Sequence, residues 1–126
     1  TTTKGILEKV KTHAGDVDFE VQPELLSLFS NRDFGRYAGE KGEMNVCFIS
    51  NNDITGGNSG SAMFNARGEL LGLAFDGNWE AMSSDILYEP KMQRCIGVDV
   101  RYILFMIEKY GKAGDLIREL KIVSGK

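Results

Sequence analysis

Ser59 sits in the run TGGNSGS (55–61), flanked by three glycines and followed directly by an apolar stretch. A hydroxyl held in a sharp glycine-rich bend suits acyl transfer. That chemistry needs an exposed, rigidly held oxygen and backbone N–H groups aimed at the oxygen of the tetrahedral intermediate. Each such donor is worth about 2.7–4 kcal/mol in the transition state. Glycine lets the backbone turn tightly and keeps side chains out of the way. In this pattern the N–H groups of Gly57 and Ser59 are expected to converge on one point, and Gly60 lets the chain leave without a clash. The competing reading is a flexible surface turn, and GNSG alone does not choose between them.

A serine is a weak nucleophile without a histidine base oriented by a carboxylate. The single histidine, His13, lies in KTHAGD, a polar context that reads as an exposed surface residue rather than a base. One histidine also excludes a multi-histidine metal site. Cys47 and Cys95 match no zinc spacing. Their apolar, strand-like contexts, NVCFIS and RCIGVDV, favour buried free thiols over a disulfide. GGNSGS lacks the lysine and the strand–helix setting of a phosphate loop. No metal and no cofactor are therefore expected.

The 126 residues, 42% hydrophobic and 26% charged, suit one globular domain with a real core. A net charge of -3 with interleaved lysines and glutamates gives no basic stripe for nucleic acid. No apolar run approaches the roughly 20 residues that span a bilayer. TTTKGILEKV lacks the apolar core of a signal peptide, which says little about compartment if the chain is a piece of something longer.

Several elements must position Ser59. Residues 1–44 read as a helical and loop segment, with a helix starting at Pro23 and loop from Asn31 to Gly42. Residues 45–126 read as a strand-rich portion with C-terminal helices. Strands are expected at Asn45–Ser50, Ala62–Phe64, Glu69–Phe75 and Arg94–Val100. The turn Asn65-Ala66-Arg67-Gly68 joins the second to the third, and the third is expected to be buried on both faces. Asp76–Ser84 is turn-rich. A helix runs from Val100 to about Tyr110, with Asp99 able to cap it, and ends at Gly111. A last short helix covers Asp115–Lys121. Four strands and a closing helix suggest an antiparallel β-barrel or half of one, mainly β, whose open edges need covering from outside this chain.

The flanks of the serine loop carry a family likeness. TGGNSGS (55–61), NARGELLGLAFDGNWEAMSSDI (65–86), VDVRYILFMIEKYG (98–111) and YAGEKGEMNVCF (37–48) together resemble the bacterial dipeptidyl-peptidases VII and XI, serine exopeptidases of the dipeptidyl aminopeptidase B type. The block around LAFDGNWEAM is far more specific than the serine motif. The resemblance implies the C-terminal part of a chymotrypsin-like double β-barrel. It implies release of dipeptides from free peptide N-termini, a periplasmic or surface location in Gram-negative bacteria, and a homodimer for the full-length enzyme.

By position, Ser59 matches the family nucleophile, with the Gly57 and Ser59 N–H groups as oxyanion donors. Asp76 matches a carboxylate that grips the substrate's ammonium, a charge-assisted bond. Gly77 falls in the pocket for the penultimate side chain. Arginine there goes with acidic substrates and glycine with apolar ones, so a hydrophobic preference and an open, uncharged hole are expected. Phe75 lines the pocket or packs the core; Trp79 is expected to pack. Ala62 stands where the family usually has proline. The histidine and aspartate of the triad are expected upstream, so the chain alone should be inactive. The alternative is a non-catalytic protease-like module that binds peptide N-termini; a purely structural β-domain is a third reading.

Overall fold

The structure, a computed structural model, describes residues 1–39, 41–83 and 86–123. Ser84 and Asp85 of the family-like block, and Glu40, lie outside the described residues. The chain divides into two compact units, Thr1–Val46 with Arg101–Lys126, and Cys47–Val100. The C-terminal helices thus join the N-terminal segment in one unit, where the sequence reading grouped them with the strands.

In the first unit, α1 (Thr3–Thr12) is a helix the sequence reading missed. Ile6, Leu7 and Val10 give it a narrow apolar stripe that the surrounding threonines and lysines conceal. Its entry is tied to the segment before the sheet: the Thr3 N–H donates to the Met44 carbonyl at 3.0 Å, and the Val46 N–H to that of Thr1 at 2.9 Å. α2 (Pro23–Ser30) starts with proline in its first turn, as expected. The loop that follows contains a short 3-10 turn, Gly35–Tyr37.

α3 (Val100–Phe105) runs on as a π-helical turn, Met106–Tyr110, closed by the Gly111 N–H on the Met106 carbonyl at 2.7 Å. α4 (Gly114–Arg118) is shorter than the expected Asp115–Lys121 helix and starts one residue earlier. Phe29, Phe34 and Phe105 are each no more than 1% exposed and pack with ring centroids 6.0–6.5 Å apart. Burying each ring contributes about 1.5–3 kcal/mol, and this cluster holds the two ends of the chain in one unit. Polar ties reinforce it. Arg36 pairs with Glu108 at 3.3 Å and Lys109 with Asp33 at 2.8 Å, and the Tyr37 hydroxyl donates to Glu108.

The second unit is one antiparallel sheet built from β1 (Cys47–Ser50), β2 (Ala62–Phe64), β3 (Leu70–Gly77) and β4 (Cys95–Asp99). The spatial order is β1-β4-β3-β2, so β1 and β2 are edges. Closing a barrel needs more strands, staggered to meet; the expected barrel is therefore present here only as an open sheet. Nor is the described chain mainly β, because its α-helices hold more residues than its strands.

Register shows which side chains share a face. Phe48 lies opposite Gly97 and Gly97 opposite Ala74, and the Phe48 ring covers Gly97 and Gly72. A β-carbon at Gly72 would lie 2.0 Å from the Val98 carbonyl oxygen, so only glycine fits there. β3 is not buried on both faces as expected: Gly72 and Ala74 are buried, but Leu71 and Phe75 are 43% and 44% exposed. Among the described residues of this unit no second sheet covers that other face.

Cys47 faces Val98 and Cys95 faces Ser50. Directly paired residues share a face and neighbours alternate, so the two thiols lie on opposite sides of the sheet and cannot bridge. Both are free, and burial pushes both thiols up.

Candidate active site

The serine loop is an extension of the β2–β3 ladder. Beyond the pair Ala62–Leu73, the Ala74 N–H donates to the Ser61 carbonyl at 2.9 Å, and the Gly60 N–H to the Ala74 carbonyl at 2.7 Å. The Ser59 hydroxyl comes next along the same edge and donates to the Phe75 carbonyl at 3.4 Å. Asn58 closes the bend. Its N–H donates to the Thr55 carbonyl at 3.1 Å, its side-chain oxygen accepts the Thr55 N–H at 2.9 Å, and its carbonyl accepts the Ser61 N–H at 2.9 Å.

Gly57 and Gly60 have φ of +95° and +87°, a region that L side chains occupy only under strain. Nothing lies within 4 Å of where a β-carbon would stand at either position. Backbone conformation, not space, therefore demands glycine at both. Among the described residues neither the Gly57 N–H nor the Ser59 N–H has an acceptor, whereas the Gly60 N–H is used in the ladder. Two free donors beside an exposed hydroxyl can receive developing negative charge.

The second unit contains no imidazole. His13 belongs to the other unit, where Nδ1 lies 2.9 Å from Thr12 Oγ1 and the ring stacks on Phe19 at 4.1 Å. It is half-buried by that stacking rather than fully exposed as the sequence suggested.

The register shift between Ala74 and Asp76 places Phe75 in a bulge. An extra residue in one strand exchanges the faces of all that follow it. Asp76 therefore pairs with Ile96 on the less covered face, and Gly77 pairs with Cys95 on the covered one. Asp76 is exposed; its Oδ1 accepts the Gly77 N–H at 2.8 Å, and no cation among the described residues pairs with it. A free carboxylate of this kind can receive an ammonium.

Gly77 does not open onto a hole. A β-carbon there would lie 2.8 Å from that of Ala81 and 3.4 Å from Ile54 Cγ2. The Arg94 carbonyl oxygen would lie 3.7 Å away, and the space is filled by the Ala81 methyl group from the 3-10 turn Trp79–Ser83. Trp79, expected to pack, opens the 3-10 turn and is 81% exposed among the described residues. The sequence reading missed Ile54 and Ala81, whose nearness to Gly77 depends on folding the turn back. It also missed Asn78, which lay unremarked inside the turn-rich segment Asp76–Ser84.

The chain is similar to the dipeptidyl-peptidase 7 of Porphyromonas endodontalis, with 57% identity over 99% of this chain and 15% of that protein. It is also similar to an Asp/Glu-specific dipeptidyl-peptidase of Capnocytophaga gingivalis, with 48% identity over 98% of this chain and 17% of that protein. Among solved structures, Porphyromonas endodontalis DPP11 in complex with the dipeptide Arg-Glu superimposes with a TM-score of 0.89 and 44% identity, over 94% of this chain and 17% of that one. The chain thus spans about one-sixth of the length of the relatives it matches. The sequence model of the Peptidase S46 family matches residues 1–122, and the chain belongs to that family.

Proposed function

We propose that the chain is the serine-bearing portion of a dipeptidyl-peptidase, acting within a longer protein. Ser59 Oγ attacks the carbonyl carbon of the second residue of a peptide. Its proton passes to a histidine base supplied from outside this chain. The carbonyl oxygen, now negative, is received by the Gly57 and Ser59 N–H groups. Collapse breaks the C–N bond, the base returns its proton to the leaving amine, and water then releases the dipeptide from Ser59. Asp76 pairs with the substrate's ammonium and so sets the cut two residues in.

The observation that carries this reading is the pair of unoccupied N–H groups flanking a hydroxyl held at the edge of β3. The relatives include both dipeptidyl-peptidase 7 and Asp/Glu-specific enzymes. The uncharged surroundings of Gly77 favour hydrophobic residues at the penultimate position for this one.

Ser59→Ala in the full-length protein is the test. Dipeptide release should fall by about a millionfold, as when a serine-protease nucleophile is removed. The isolated chain, lacking a base, should show no Ser59-dependent turnover. Retained dipeptide release by Ser59→Ala would refute the assignment. A protein with no release before or after substitution, yet with unchanged peptide binding, would support the non-catalytic module instead.

A further inference from the structure

The methyl group facing Gly77 is the feature with the most to say about selectivity. A β-carbon at position 77 would stand 2.8 Å from Ala81 Cβ, well inside contact distance. That methyl is attached directly to the backbone and cannot rotate away, so relief would require the turn Trp79–Ser83 to move.

The turn is held in place chiefly by Asn78. Its N–H donates to the Arg94 carbonyl at 2.9 Å, and its side-chain oxygen accepts the Arg94 N–H at 2.8 Å. Its Nδ2 donates to the Met92 carbonyl at 2.9 Å and to Glu80 at 2.6 Å. Its carbonyl accepts the Ala81 N–H at 2.9 Å. The other side is equally tied. The Arg94 guanidinium donates to the carbonyls of Pro90, Lys91 and Gln93 at 2.9, 3.0 and 2.6 Å. The turn therefore cannot yield without breaking several bonds at once.

We infer that Ala81 is a second specificity-determining residue of the pocket at Gly77, and that Asn78 is the positioning residue that holds it there. The inference rests on the reading of Gly77 as part of the penultimate-residue pocket. Its methyl, with Ile54, sets the depth and the apolar character of that site. Positions 77 and 81 share one volume: a long side chain at 77 needs a glycine at 81.

The full-length enzyme tests this in four forms: native, Gly77→Arg, Ala81→Gly and the double variant. Each is assayed for kcat/KM on dipeptidyl substrates with leucine, phenylalanine or aspartate as second residue, and for Tm. Gly77→Arg alone should lose about a hundredfold on both substrates and melt lower. Adding Ala81→Gly should recover tenfold or more on aspartate and part of the lost Tm. Ala81→Gly alone should shift preference from leucine toward phenylalanine by threefold or more. Should Gly77→Arg misfold, Gly77→Ala with and without Ala81→Gly reads the same coupling through the leucine-to-phenylalanine ratio of kcat/KM, with Tm alongside.

Singles whose effects simply multiply would overturn the inference. So would Gly77→Arg switching to aspartate unaided with Tm unchanged, which leaves the pocket reading intact. Coupling in Tm with no change in the leucine-to-aspartate ratio would overturn both together, leaving Ala81 as packing alone. For Asn78→Ala the expected result is a KM increase for leucine substrates that exceeds the one for alanine substrates. An equal fall in kcat on both would mean a structural role only and would refute positioning.

Discussion

The sharpest check on the oxyanion assignment compares two glycines that differ in one respect. Gly57 and Gly60 share a left-handed backbone, φ +95° and +87°, and open surroundings. Alanine at either position meets no atom and carries a similar conformational cost, about 1–2 kcal/mol. The N–H of Gly60 is already spent on the Ala74 carbonyl, while that of Gly57 has no acceptor among the described residues. Relaxing Gly57→Ala toward negative φ turns its N–H, and with it the donor proposed to act beside that of Ser59. Losing one such donor lowers kcat by about a hundred- to a thousandfold. Gly60→Ala strains the loop equally but removes no donor, so its kcat should fall at least tenfold less. The assay is steady-state kcat and KM of both full-length variants, with Tm to confirm matched strain. Equal losses of kcat at matched Tm would refute the reasoning, as would a Gly57→Ala effect confined to KM.

Two other outcomes are expected. Asp76→Asn should cut kcat/KM for free N-termini by about ten- to a hundredfold, since a hydrogen bond to a charged group is worth about 1.5–3 kcal/mol; an unchanged kcat/KM contradicts its ammonium role. Glu108 is held below its ordinary value of 4.5, chiefly by the Tyr37 hydroxyl and also by Arg36. A depressed carboxyl stabilises the fold above its unfolded value and loses that contribution as pH falls through the lowered one. Hydrogen exchange of residues 33–37, compared at matched pH with Glu108→Gln, should show extra protection at pH 6 that vanishes in the acid range; a constant difference contradicts the linkage.

Much of the scaffold was legible because its signals are local. Proline in a first turn marked α2, β2 fell at Ala62–Phe64 as expected, and Gly68 takes the left-handed φ of +75° that its turn needs. α1 was not legible, since its apolar stripe is short and its entry is tied by backbone bonds to Met44 and Val46, far along the chain. The exposure of Leu71 and Phe75 was likewise hidden, because apolar type does not say what lies across a strand.

Sequence by itself determined the glycine bend around Ser59 and the nearness in the chain of Asp76 and Gly77, because backbone preference and adjacency belong to the residues themselves. Only the tertiary structure decided which way those residues point. The bulge at Phe75 is a property of β3 pairing with β4, some twenty residues apart in the chain, and it decides that Asp76 takes the less covered face and Gly77 the covered one. The methyl group against Gly77 likewise arrives from a turn that the Asn78–Arg94 bonds fold back. Register and long-range hydrogen bonds are set by partners distant in sequence, and no local pattern encodes them.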